Sequence, residues 1–73
     1  MTHRHYTIVV EHAKGNYSAY APDLPGVVAA ADTVEETERL MRDAILLYLE
    51  ELRASGESIP EPTSVARTVE VVA

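Results

Sequence analysis

The sequence predicts a single α+β domain, residues 1–73, with the element order β-β-β-α-β. Three observations carry this prediction. Residues 6–11 and 17–21 are β-branched and aromatic runs joined by a turn tetrad. Pro22-Asp23-Leu24-Pro25-Gly26 punctuates the chain before a third short run. Thr33-Val34-Glu35-Glu36 then opens a long amphipathic stretch. These patterns distinguish strands from helices because side chains alternate across a strand but return to one face every 3.6 residues in a helix.

In the first run Tyr6, Ile8 and Val10 share one face, and Thr7 and Val9 the other. Ala13-Lys14-Gly15-Asn16 supplies a hairpin turn, with Gly15 and Asn16 both tolerant of positive φ. Residues 17–21 return as strand two. Pro22 ends that strand because it has no N–H to give the ladder. Pro25 and Gly26 suit the central positions of a type II turn, after which residues 27–30 form strand three.

Thr33 is the expected N-cap: its hydroxyl accepts from the Glu36 amide while the Glu36 carboxylate reaches back. Glu35, Glu36 and Glu38 sit at the positive end of the helix dipole. Leu40, Met41, Ala44, Ile45, Tyr48, Leu49 and Leu52 keep a period near 3.6 and form the core stripe, with Gly56 as the stop. Glu35–Arg39 and Glu38–Arg42 are i,i+4 pairs in the better orientation on the solvated side. Residues 57–64 read as an extended loop stiffened by Pro60 and Pro62, and residues 65–72 alternate well enough for a last strand.

Three antiparallel strands form a meander, the helix crosses one face, and the last strand adds parallel to the first through a right-handed crossover. The expected strand order is 3-2-1-4. A helix from Val34 to about Ser55 spans roughly 33 Å, whereas strands of this length cover about 17 to 24 Å. The helix should therefore overhang the sheet, and Leu49 and Leu52 should need cover from a second subunit or from the 59–60 loop. Thr7, Val9, Tyr20 and Val28 are left on a half-apolar outer face, the kind of patch that marks an interface.

Composition narrows the function. The net charge of −6 disfavours direct contact with nucleic acid, which needs clustered Lys and Arg, and favours a basic protein partner. Without cysteine there is neither a disulfide scaffold nor a thiolate zinc site. No apolar run approaches the roughly 20 residues that span a bilayer, and the N-terminus lacks the apolar stretch of a signal peptide, so a cytoplasmic location is expected. With no glutamine and a single asparagine, the composition points to a thermophile. A chain this small buries only about 60% of its unfolded surface, so a homo-oligomer is expected.

Glu11, Asp23, Asp32 and Glu36 invite comparison with a two-metal carboxylate cluster. Asp23 falls in a turn, however, Asp32 precedes a cap, and Glu36 belongs to the cap itself. His3 and His5 share a side and could share a metal, but His12 has the opposite parity and gives no third ligand. Ser18, Ser55, Ser58 and Ser64 occupy no Gly-flanked elbow. No catalytic, metal or cofactor set is expected, and the chain reads as a non-enzyme.

The strand ending at Glu11, Gly15, Tyr17, the 22–26 turn, Asp32-Thr33-Val34-Glu35-Glu36, the Ala44-Ile45 to Tyr48-Leu49 helix and Ile59-Pro60-Glu61-Pro62 together resemble the HicB antitoxin domain. The resemblance implies a partial ribonuclease-H-like fold. It also implies an antitoxin-like module that masks HicA, a small basic toxin that cleaves messenger RNA with a histidine. Antitoxins of that family commonly carry a C-terminal DNA-binding segment, which these 73 residues do not contain, so operator binding is not expected of them. The competing reading is an orphan domain responsive to a small molecule or metal. The expected toxin contacts are Val9, Tyr20, Asp23, Leu24 and Val28, with Leu24 held out by two prolines as a low-entropy knob. The expected oligomer contacts are Leu49 and Leu52.

Overall fold

The computed structural model describes residues 3–73. Strands β1 (Val9–Ala13), β2 (Asn16–Tyr20) and β3 (Val28–Ala31) form an antiparallel meander covered on one face by helix α1 (Val34–Ala54). Ala13 pairs with Asn16 across a two-residue turn at Lys14 and Gly15. Residues 6–8 continue β1 only as extended chain. The register sets Val9 opposite Tyr20, so residues before Val9 would face the proline-containing turn after β2, which offers no ladder.

That turn is built from two consecutive hydrogen-bonded bends. Leu24 N–H donates to the Ala21 carbonyl at 3.0 Å and Val27 N–H to the Leu24 carbonyl at 3.2 Å. Gly26 takes a φ of 90°, as the third position of a type II turn demands and as a β-carbon would oppose.

The helix ends follow from their caps. Thr33 Oγ1 accepts from the Glu36 N–H at 3.1 Å, whereas the return bond from the Glu36 carboxylate is not present among the described residues. The buried Thr37 hydroxyl is satisfied by the Thr33 carbonyl at 2.7 Å. At the other end Glu57 N–H donates to the Leu52 carbonyl and Gly56 N–H to the Arg53 carbonyl, with Gly56 at a φ of 73°. This is the paired closure that satisfies the last carbonyls of a helix. The expected pairs Glu35–Arg39 and Glu38–Arg42 do not close: among the described residues the ion pair within 4 Å is Arg4–Glu61, at 3.9 Å. Both surface pairs ask long side chains to give up freedom for under about 1 kcal/mol.

The expected strand order 3-2-1-4 is corrected to β1-β2-β3. Residues 65–73 form no strand among the described residues and run exposed. Their starting point is tied at Ser64, whose carbonyl accepts from Thr7 Oγ1 at 3.0 Å, and beyond it no ladder forms within the chain. A three-stranded meander under one helix does not establish the ribonuclease-H-like architecture.

Ala19, Ala21, Leu24, Val27 and Met41 form the core, with Tyr6, Ile8, Val10, Ala29, Ala44, Ile45 and Tyr48 packed against it. Three of the five buried residues lie in or beside the 22–26 turn, so the turn is itself part of the core. Leu24 is wholly buried, at 0% exposure. Leu24→Ala should lower unfolding stability by about 2–5 kcal/mol, read as a lower midpoint in urea. Val28→Ala, on an exposed side chain, should move that midpoint by well under about 1 kcal/mol.

Candidate partner-binding surface

Register places Val9 opposite Tyr20 and Tyr20 opposite Val28. Residues directly opposite on neighbouring strands share a face, so these three side chains form one row across all three strands. The adjacent inner row, Val10, Ala19 and Ala29, belongs to the core and its margin, so the outer row points away from the helix. Tyr20 is 44% exposed and Val28 67%, and Val9 is half-buried. The next outer row is Glu11, Ser18 and Ala30. The apolar strip is therefore bordered on that side by the Glu11 carboxylate and the Ser18 hydroxyl, with the Ala30 methyl beside them, a partly polar rim.

Two other expected contacts lie elsewhere. Leu24 is not an exposed knob. The two bends around it turn the side chain inward, and its exposure of 0% leaves nothing for a partner to touch. Asp23 is half-buried, and its carboxylate is already occupied. Oδ2 accepts from the Thr63 and Ser64 N–H groups, each at 3.0 Å, and Oδ1 from the two hydroxyls, at 3.0 Å and 2.8 Å. The Ser64 bonds first, and then the Thr63 bonds, hold the Asp23 carboxyl below the usual aspartate range against the opposing effect of burial. Nearby, the Tyr6 hydroxyl donates to the Pro60 carbonyl, and burial pushes that phenol up, partly offset by Arg4.

Leu49 is buried within the chain and Leu52 half-buried, so neither is left bare by the helix overhang. Beyond Val34 at its first position, the exposed large apolar groups of α1 are Leu46 and Leu47. The run Ile45-Leu46-Leu47-Tyr48-Leu49 carries the signal for them, since five consecutive apolar residues cannot all face one side of a helix. A shallow hollow of about 210 Å³ joins Val28 to Leu47 and Tyr48, extending the apolar surface round the β3 edge of the sheet. Among the described residues no group of three or more His, Asp or Glu is placed to hold a metal. No helix of the described residues is long and apolar enough to cross a membrane.

The family model for the HicB-like antitoxin of bacterial toxin–antitoxin systems matches residues 6–72. The chain belongs to the HicB-like antitoxin family. Among curated proteins, this HicB-like chain is 31% identical over 68 residues to "UPF0150 protein ssr1765" of Synechocystis, covering 92% of the chain and 86% of that relative. It is 27% identical over 64 residues to an uncharacterized 14.9 kDa protein of Haemophilus phage HP1, covering 88% of the chain but 48% of that protein. The HicB-like chain thus spans about half the length of the phage relative. No solved structure matches it.

The Asp23 bonds make a pH prediction for this family member. A carboxyl whose folded pKa is depressed adds stability above its unfolded value, about 3.9, and loses it as pH falls through the lower folded value. The Thr63 and Ser64 amide resonances should therefore move together towards random-coil positions only as pH falls through that lowered folded value, beneath the usual aspartate range. In Asp23→Ala they should be random-coil-like already at neutral pH.

Proposed function

We propose that this chain is a non-catalytic antitoxin module that binds a small basic messenger-RNA-cleaving toxin of the HicA type and blocks RNA from reaching its active site. The observation that carries the reading is the Val9–Tyr20–Val28 row, an apolar strip laid across the whole sheet and left open by the single helix. Family membership supplies the class of partner. The net charge of −6 supports its sign, because an acidic chain speeds encounter with a basic one.

In this reading the two contributions divide. Charge sets the association rate, which should fall as salt screens it beyond a Debye length of about 8 Å. Desolvation of Tyr20 and the flanking valines sets the lifetime of the complex, as aromatic anchors at the centre of an interface commonly do. Asp23 acts indirectly: it holds residues 63–64 beside the turn and has no spare capacity for a partner's arginine. The bound toxin is silenced by bulk, and no acid–base chemistry is asked of this chain.

Toxin ribonuclease activity titrated with the chain tests the proposal. Tyr20→Glu should raise the concentration needed for half-inhibition at least about tenfold, the effect of losing a central anchor, with an unchanged circular dichroism spectrum. Equal inhibition by wild type and Tyr20→Glu would remove the outer face from the interface.

A further inference from the structure

We propose that residues 65–72 are a strand donated to a second copy of this chain, where they add to the free edge of β1, and that two copies exchange these strands reciprocally. The donor segment is Val-Ala-Arg-Thr-Val-Glu-Val-Val. Its start is fixed in place, since Thr63 and Ser64 are held by Asp23 and by Thr7. Its continuation makes no backbone hydrogen bond among the described residues. Val65, Val69 and Val71 share one parity and are 72%, 81% and 74% exposed.

A segment of this composition is poorly suited to stay in water. It is β-branched, lacks proline and glycine, and balances one arginine against one glutamate. Those are the properties that favour strand pairing between chains, and the lysine or proline with which free edges are usually blunted is absent.

The acceptor is as well defined as the donor. Because the sheet order is β1-β2-β3, the outer edge of β1 has no strand paired to it among the described residues. Beside the residues that precede β1 lies an open groove of about 720 Å³ against α1, where Ile8, Ile45 and Leu46 lie among charged groups that include Glu38, Arg42 and Arg53. Val65, Val69 and Val71 would cover the half-buried Ile8 and Ile45 and the exposed Leu46, while Arg67, on the same parity, would meet the acidic side of the groove at Glu38. An eight-residue strand spans roughly 26 Å, the length of residues 6–13. The groove flanks β1, and the competing edge belongs to the shorter β3 (Val28–Ala31). Each copy carries one donor and one acceptor, so reciprocal exchange closes at two copies with a two-fold axis. It also supplies the apolar burial that a 73-residue chain is short of. The inference is independent of the toxin reading, and its test needs no toxin.

The full chain is measured by light scattering after size exclusion, and by hydrogen exchange with mass spectrometry. Wild type should show twice the chain mass, with slow exchange over residues 65–72 and 6–10. Val69→Asp, on a side chain that touches nothing in its own chain's core, should halve the mass. It should also release both segments together, while residues 34–54 stay protected. Val71→Asp should behave the same way. Three results would overturn the proposal: a wild type of single-chain mass, a Val69→Asp chain that remains paired, or protection gained at residues 28–31 in place of β1. A mass that climbs with concentration without a plateau would also count against it, since it would mean open-ended addition.

Discussion

The turn between β2 and β3 holds the molecule from two directions through adjacent side chains. Pro22 and Pro25 restrict the backbone, and the two bends send Leu24 into the core beside Ala21, Val27 and Met41. Asp23 faces the other way and collects four hydrogen bonds from Thr63 and Ser64. Burying a leucine is worth about 1.5–3 kcal/mol, a large share of what a domain this small can assemble. The carboxylate bonds tie a segment forty residues further along the chain to the same point. The path of the C-terminal segment and the centre of the core are thus set by one pentapeptide.

Single-helix coverage of a three-stranded sheet divides its surface sharply. The inner rows are sealed by Met41, Ala44, Ile45 and Tyr48, whereas the outer row of Val9, Tyr20 and Val28 has no second layer. The open β1 edge and the valines of residues 65–72 are two further incomplete surfaces, acceptor and donor in the proposed exchange. On both proposals the chain finishes its burial through other chains, which fits the antitoxin family it belongs to. The two proposals are compatible, because the apolar strip lies on the outer face of the sheet and the strand exchange uses the β1 edge.

Much of this was legible in the residues. The helix, its Thr33 cap, its Gly56 stop and its buried stripe follow from local rules that tertiary structure did not override, as do the two hairpin connections. The outer face was legible as well, because strand parity alone separates Val9, Tyr20 and Val28 from Val10 and Ala19. What could not be read was the direction of Leu24. A leucine between two prolines looks the same in sequence whether the bends point it outward or inward, and the answer depends on Met41 lying beneath it. The role of Asp23 was hidden for a similar reason, since its partners are forty residues distant and Thr-Ser pairs are unremarkable in a loop. Residues 65–72 form no strand among the described residues, because alternation states only that a segment can pair and does not supply an edge for it. Leu46 and Leu47 fall outside the stripe that keeps the helical period, so periodicity alone does not mark them as exposed apolar surface.

Toxin binding is tested most directly by recovering the chain's natural partner. Tagged protein would be purified from the source cells, the co-purifying chains identified by mass, and their ribonuclease activity measured with and without this protein. A small basic protein whose cleavage of RNA stops at stoichiometric addition is the predicted result. Recovery of self-associated chain alone, with no ribonuclease that it inhibits, would contradict the antitoxin assignment.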